Sequence, residues 1–107
     1  MKNTLYAYRG IYRRKHINLD KDAKIQVNAD LTSWLGTDNI ASATWEVEDS
    51  SSAITVSNTS ETTKVATAYL SCTDYGQSMF VKVSCVTDAA IPETCSRSFI
   101  VHRARTV

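Results

Sequence analysis

The chain has 107 residues, a length typical of one domain. Hydrophobic residues make up 43% of it and charged residues 21%, so a disordered chain is not expected. No apolar run approaches the roughly 20 residues of a membrane-spanning helix. The formal net charge of +1 hides a segregation, because residues 1–19 and 94–107 hold basic and no acidic side chains while residues 20–93 hold all 11 acids. We therefore expect the basic ends to contact an acidic surface, with merely solvated chain ends as the alternative.

The first predicted element is a segment rich in tyrosine and arginine, residues 1–17. These two residue types dominate protein interfaces, because they combine a wide contact area with polar tips and fork-like donors. We expect an extended arm that leaves the domain or adds an edge strand to a partner's sheet. The alternative is a first strand followed by a basic loop. The predicted interface residues are Tyr6, Tyr8, Arg9, Tyr12, Arg13, Arg14, Lys15 and His16. Deleting residues 1–16 is expected to leave the remainder folded.

Residues 18–107 show the period of two that is typical of half-buried strands. The alternating runs are residues 24–30, 43–48, 54–57, 65–70, 79–86 and 98–102. A single helical turn is expected within residues 30–35. Strands of this number and spacing predict an all-β, immunoglobulin-like two-sheet sandwich of about seven strands. Trp45 is the expected core plug between the sheets, and Trp34 is expected to cap one end. The first and last strands are expected to be neighbours, which puts the basic ends on one side.

Candidate chemistry is sparse in this sequence. The three cysteines form no C-x-x-C pair, and no signal peptide is expected, so we expect reduced thiols, with a Cys72–Cys95 bridge as the alternative. Cys95 and His102 could form a nucleophile pair, but no motif orients them, and the chain is not expected to be an enzyme. A zinc site needs about four convergent ligands, so neither a metal nor a cofactor is expected. With a pI of about 7.7 and an acidic body, nucleic acid is not an expected partner.

Much of the chain carries a further pattern, including a Trp-Leu pair and a second Trp at a distinctive spacing. The matching residues are Leu19-Asp20-Lys21-Asp22, the run 25–30, the run 33–47 from Ser33-Trp34-Leu35-Gly36 to Trp45-Glu46-Val47, Thr87-Asp88-Ala89, and Arg97-Ser98-Phe99-Ile100-Val101. This pattern resembles a family of small tailed-phage proteins, the fibre–tail adaptors. The resemblance implies a virion protein that sits on the tail in many copies and mediates fibre attachment, with no cofactor and no reaction.

The resemblance therefore implies a structural virion protein of a tailed bacteriophage, made in the host cytoplasm and placed on the tail. Its expected partners are other virion proteins (a tail adaptor or nozzle, and a fibre or tailspike) and neighbouring copies of itself, with neither nucleic acid nor membrane. Two alternatives stay open. One is a capsid decoration or head-fibre protein, and the other is a glycan-binding immunoglobulin-like module.

Overall fold

The computed structural model describes residues 3–10 and 14–104. They form eight strands and one short helix. In chain order the elements are β1 (Thr4–Tyr6), β2 (His16–Asp20), β3 (Lys24–Asp30), α1 (Thr32–Leu35), β4 (Ile40–Val47), a 3-10 turn (Glu48–Ser50), β5 (Thr55–Glu61), β6 (Val65–Ser71), β7 (Met79–Thr87) and β8 (Thr94–Ala104). The helical turn expected within residues 30–35 is present. It starts where the Asp30 carboxylate accepts hydrogen bonds from the Thr32 amide and hydroxyl, at 3.0 and 2.7 Å.

The strands form two four-stranded sheets, and the all-β sandwich prediction is confirmed. The first sheet has the order β1-β3-β6-β5, and the second has the order β2-β8-β7-β4. Two pairings are parallel, β1 with β3 and β2 with β8, while the other neighbours are antiparallel. The expectation that the first and last strands are neighbours is wrong, because β1 lies in the first sheet while β8 lies inside the second, between β2 and β7.

The core lies between the sheets and is built from alternate residues of each strand. Val81, Val83 and Cys85 of β7 point inward, and so do Phe99 and Val101 of β8. Phe99 is the largest side chain that the core encloses completely. Burial of these apolar side chains is the main favourable term in folding such a sandwich.

The expected role of Trp45 as the central core plug is wrong. Trp45 is only partly buried and packs against the core from its rim, with its ring 6.2 Å from that of Phe99 in an edge-to-face arrangement. The physical reason is strand order, because β4 is an edge strand of the second sheet while β8 lies inside it. Trp34, on α1, is the more buried tryptophan, at 8% exposure.

The described part of residues 1–17 is not an arm that leaves the domain. Leu5 lies beside Ala29 in the first sheet, and Ile17 lies beside Val101 in the second. Both side chains are buried, as is that of Ala7. The boundary expected between an arm at 1–17 and a domain at 18–107 is therefore corrected, because the segment adds a strand to each sheet and raises the expected count of about seven to eight. The alternative, a first strand followed by a basic loop, is nearer to the structure.

Candidate interaction surface

The N-terminal segment alternates between core and solvent, and its tyrosines take the solvent side. Tyr6 and Tyr8 are 52% and 53% exposed, on either side of the buried Ala7. The segment is held by its backbone, since the Ala7 amide donates to the Asp30 carbonyl at 3.0 Å and Arg97 Nη2 donates to the Tyr8 carbonyl at 2.7 Å. Two large aromatic side chains are thus displayed at the end of the edge strand β1 and just beyond it.

Arg9 ties the segment to the end of the sandwich that carries α1. Its guanidinium carbon lies 4.3 Å from the centroid of the Trp34 ring, and its Nε donates to the Trp34 carbonyl at 3.0 Å. Its Nη2 donates to Glu93 Oε1 at 3.1 Å. The hydrogen bond to Glu93 raises the pKa of Arg9 above its ordinary value, so the guanidinium stays charged.

Arg14 lies elsewhere, on the outer face of the second sheet. Its guanidinium sits 4.8 Å from the centroid of the Phe80 ring, and its Nε donates to Ser98 Oγ at 3.2 Å. Arg14 and Phe80 line a groove of about 390 Å³, and its other walls are formed by Lys82, Ser98 and residues 46–50. Cations and carboxylates therefore face each other across a partly exposed aromatic ring.

The turn that forms one wall of this groove has an unusual backbone. Asp49 and Ser50 both have φ at 54°, in the left-handed region that residues with a Cβ seldom adopt. The neighbouring Glu48 carboxylate accepts a hydrogen bond from the Phe80 amide at 3.4 Å. This contact joins the turn to β7 and leaves the carboxylate of Asp49 at an exposed position.

His16 takes part in a side-chain cluster that the sequence did not reveal. Its Nδ1 lies 2.8 Å from Nε2 of His102, and Nδ1 of His102 lies 2.6 Å from Ser78 Oγ. The two histidines are 86 residues apart in the chain, and the parallel pairing of β2 with β8 brings them together. Only strand register could have indicated this contact, and short-range patterns do not fix register between distant strands.

The thiols are kept apart from this cluster. Cys95 is buried between the sheets while the ring of His102 contacts Ser78 and His16 at an exposed site, so the Cys95–His102 pair considered from the sequence does not form. Cys72, Cys85 and Cys95 are free thiols. Burial raises the pKa of Cys85 to about 11 and also raises the pKa of Cys95. A buried thiol of this kind is a poor nucleophile.

The predicted interface residues thus fall in two places. Tyr6, Tyr8 and Arg9 follow the first sheet towards α1, whereas Arg14, Lys15 and His16 lie along the second sheet, where the Lys15 carbonyl accepts a hydrogen bond from the Ile100 amide at 2.9 Å. Tyr12 and Arg13 lie outside the described residues. Within residues 3–10 and 14–104, no group of three or more histidine, cysteine, aspartate or glutamate side chains is placed to hold a metal ion. The same residues contain no helix long and apolar enough to cross a membrane.

No family model matches the chain, and no curated protein matches it. Two solved structures are similar. One is a nucleoside hydrolase-related hypothetical protein from Saccharophagus degradans that is associated with carbohydrate metabolism, with a TM-score of 0.57 and 12% identity over 84% of this chain. This chain spans only 22% of that protein. The other is the PKD domain from the KIAA 1837 protein, with a TM-score of 0.50 and 15% identity over 85% of this chain and 81% of that one. At these identities the likeness shows the fold alone, an immunoglobulin-like sandwich.

Proposed function

We propose that this chain is a structural joining module, an immunoglobulin-like domain that connects other subunits. In its finer form the proposal is that it is a tailed-phage virion protein that joins the tail machinery to fibres or tailspikes. The observation that carries the proposal is the display of two tyrosines that are each about half exposed, Tyr6 at the end of the edge strand β1 and Tyr8 just beyond it. Exposed tyrosines at fixed positions are typical anchors of protein interfaces, because a large contact area is ordered at little entropic cost.

The edge position adds a backbone component to this surface. Among the strands of residues 3–10 and 14–104, β1 has β3 as its one neighbour, so a strand from a partner could extend the first sheet beyond it. Arg14 and Lys15 of the same segment lie along the second sheet, where they form a separate basic surface that complements acidic partners. Repeated copies joined through such unlike surfaces would make head-to-tail contacts, as a ring requires.

The test is a double substitution, Tyr6→Ser with Tyr8→Ser, in the phage that encodes the chain. Because both side chains are half exposed, the variant is expected to fold, and circular dichroism of the purified protein checks this. Particles carrying the variant are expected to lose their fibres in electron micrographs. The matched control is Tyr75→Ser, which changes a tyrosine of similar exposure (43%) in the loop between β6 and β7, and it is expected to leave fibres in place.

Two outcomes would overturn the proposal in its finer form. If tails that carry the double variant keep their fibres, Tyr6 and Tyr8 do not anchor the interface with the fibre. Labelled copies found on the capsid shell, in hundreds per particle, would favour the alternative of a capsid decoration or head-fibre protein.

A glycan-binding module is the second candidate, and the groove on the second sheet favours it. Its volume of about 390 Å³ is in the range of small-ligand sites, and Phe80 lies between charged groups that can hydrogen-bond to hydroxyls. Binding to a glycan array that is lost in Phe80→Ser and kept in Tyr6→Ser would support this candidate. A wild-type chain that binds no glycan would remove it.

A further inference from the structure

The chain contains two histidines, and the fold places them against each other. Their nitrogens are 2.8 Å apart, their ring centroids are 5.1 Å apart, and their planes differ by 11°. The centroid separation is about the largest that this nitrogen–nitrogen distance permits, so both nitrogens lie close to the line between the centroids. The rings therefore meet edge to edge in one plane, through a single shared proton, instead of stacking face to face.

Ser78 fixes which nitrogen of His102 faces His16. Its hydroxyl lies 2.6 Å from His102 Nδ1, and if it accepts the Nδ1–H, the lone pair of Nε2 is left pointing at His16. A histidine whose other ring nitrogen is held in this way is typical of metal-binding sites, where the outer contact sets the tautomer and the ring orientation. Ser78 and His16 are both exposed, so the pair can be reached from solvent.

We propose that His16 Nδ1 and His102 Nε2 chelate a divalent transition-metal ion that takes ligands at right angles, such as Ni²⁺ or Cu²⁺. Two nitrogens at about 2.0 Å from one metal are about 2.8 Å apart when the angle between them is a right angle, and about 3.3 Å apart in a tetrahedron. The observed 2.8 Å equals the right-angle spacing, but the two nitrogens now point at each other across a hydrogen bond. Each ring must therefore turn by about 45° before both lone pairs meet at the ion. The other coordination positions of the ion would face solvent and hold water.

Metal binding requires a small and balanced change at the pair. The proton on His16 Nδ1 leaves to solvent and His16 Nε2 takes one up, so both imidazoles stay neutral, no net proton is released, and each lone pair can turn toward the ion. His16 then carries its proton on Nε2, and His102 keeps its proton on Nδ1, where Ser78 accepts it. Arg103, beside His102 in the chain, is engaged elsewhere, since its Nε donates to the Gln77 carbonyl at 3.2 Å.

A metal at this position would link β2 to β8 across 86 residues of chain. Because the unfolded chain does not hold the two histidines together, the ion would bind the folded form preferentially and raise its stability by mass action. The site does not depend on the proposed joining function, and it rests on side chains other than the exposed tyrosines.

The test is calorimetric titration of the purified full chain with NiCl₂ at neutral pH, because Ni²⁺ does not oxidise the three thiols. One ion per chain is expected to bind. His16→Asn and His102→Asn are each expected to weaken binding by at least about tenfold, and Ser78→Ala is expected to weaken it by up to about tenfold through loss of the outer contact. Asn18→Ala is the matched control, since Asn18 is the exposed register partner of His102 and brings no imidazole, and it is expected to bind like the wild type.

A second measurement needs no variant. In nitrogen-15 spectra of the wild type, Ni²⁺ is expected to broaden the imidazole signals of His16 and His102 first, and the thermal unfolding midpoint is expected to rise with Ni²⁺ concentration. The proposal is overturned if the wild type binds no Ni²⁺, if both histidine variants bind as tightly as the wild type, or if broadening begins at other residues.

Discussion

Phe99 fills the centre of the core, and the ring of Trp45 meets it from the rim. We expect Phe99→Ala to lower the free energy of unfolding by about 3–5 kcal/mol, since it opens a cavity between the sheets. Trp45→Phe is expected to change it by less than about 1 kcal/mol, because the ring contact is kept and the Nε1–H, which is buried with no hydrogen-bond partner among the described residues, is removed. Urea denaturation of both variants measures these changes in the free energy of unfolding. An equal loss of unfolding free energy in the two variants would contradict the position of Trp45 at the rim of the core.

Cys85 gives the stability of the fold a dependence on alkaline pH. Burial raises its pKa from the ordinary 9.0 to about 11, so its thiol ionises more readily in the unfolded chain. The stabilising effect is complete below pH 9 and is lost as the pH rises through about 11. Between these values the unfolding midpoint of the wild type is expected to fall more steeply than that of Cys85→Ala. Parallel pH profiles of the two proteins would show that the thiol is not the cause.

The strand β1 is short, yet its inward side chain is deeply buried. Leu5 is part of the core, while the next residue, Tyr6, is half exposed. We expect Leu5→Ala to lower the free energy of unfolding by about 2–5 kcal/mol, whereas Tyr6→Ser stays within about 0.5 kcal/mol. Chemical denaturation of the two neighbouring variants measures the contrast. Deletion of residues 1–10 is expected to destabilise the sandwich, and a truncated chain of unchanged stability would contradict the packing of β1.

The strands with strong alternation could be predicted from the sequence, and β1 and β2 could not. In β7 and β8 each apolar residue is two positions from the next, so the inner face follows from local pattern alone. In the N-terminal segment the inward Leu5, Ala7 and Ile17 are separated by tyrosines and arginines that are typical of interfaces. Leu5 and Ile17 are buried beside parallel partners 24 and 84 residues away, Ala29 and Val101, which no local pattern specifies. The same cause hid the contact between His16 and His102.

If copies of the chain associate as proposed, its segregated charges supply part of the attraction. We expect self-association through the basic side chains of residues 14 and 15 to weaken as salt rises from about 0.02 M to about 0.5 M, since screening shortens the reach of exposed charges. Lys15→Glu is expected to weaken association by about two- to fivefold, and Lys24→Glu, an exposed lysine on the other sheet, serves as the control. Sedimentation equilibrium measures the effect of salt and the effect of each substitution on self-association. A self-association constant that changes neither with salt nor with Lys15→Glu would exclude a charge-driven contact.

The parallel pairing of β2 with β8 determines how the domain responds to tension. Opposite pulls on the two ends of the chain would drag these strands past each other along their axes. The five register pairs from His16–Ile100 to Asp20–Ala104 would then resist as a shear joint, all at once, instead of opening in turn like a zipper. Because β1 and β3 share only three register pairs, their pairing would break at a lower force than that of β2 with β8. On the proposed joining function, this arrangement would let the domain bear tension between the two subunits that it connects.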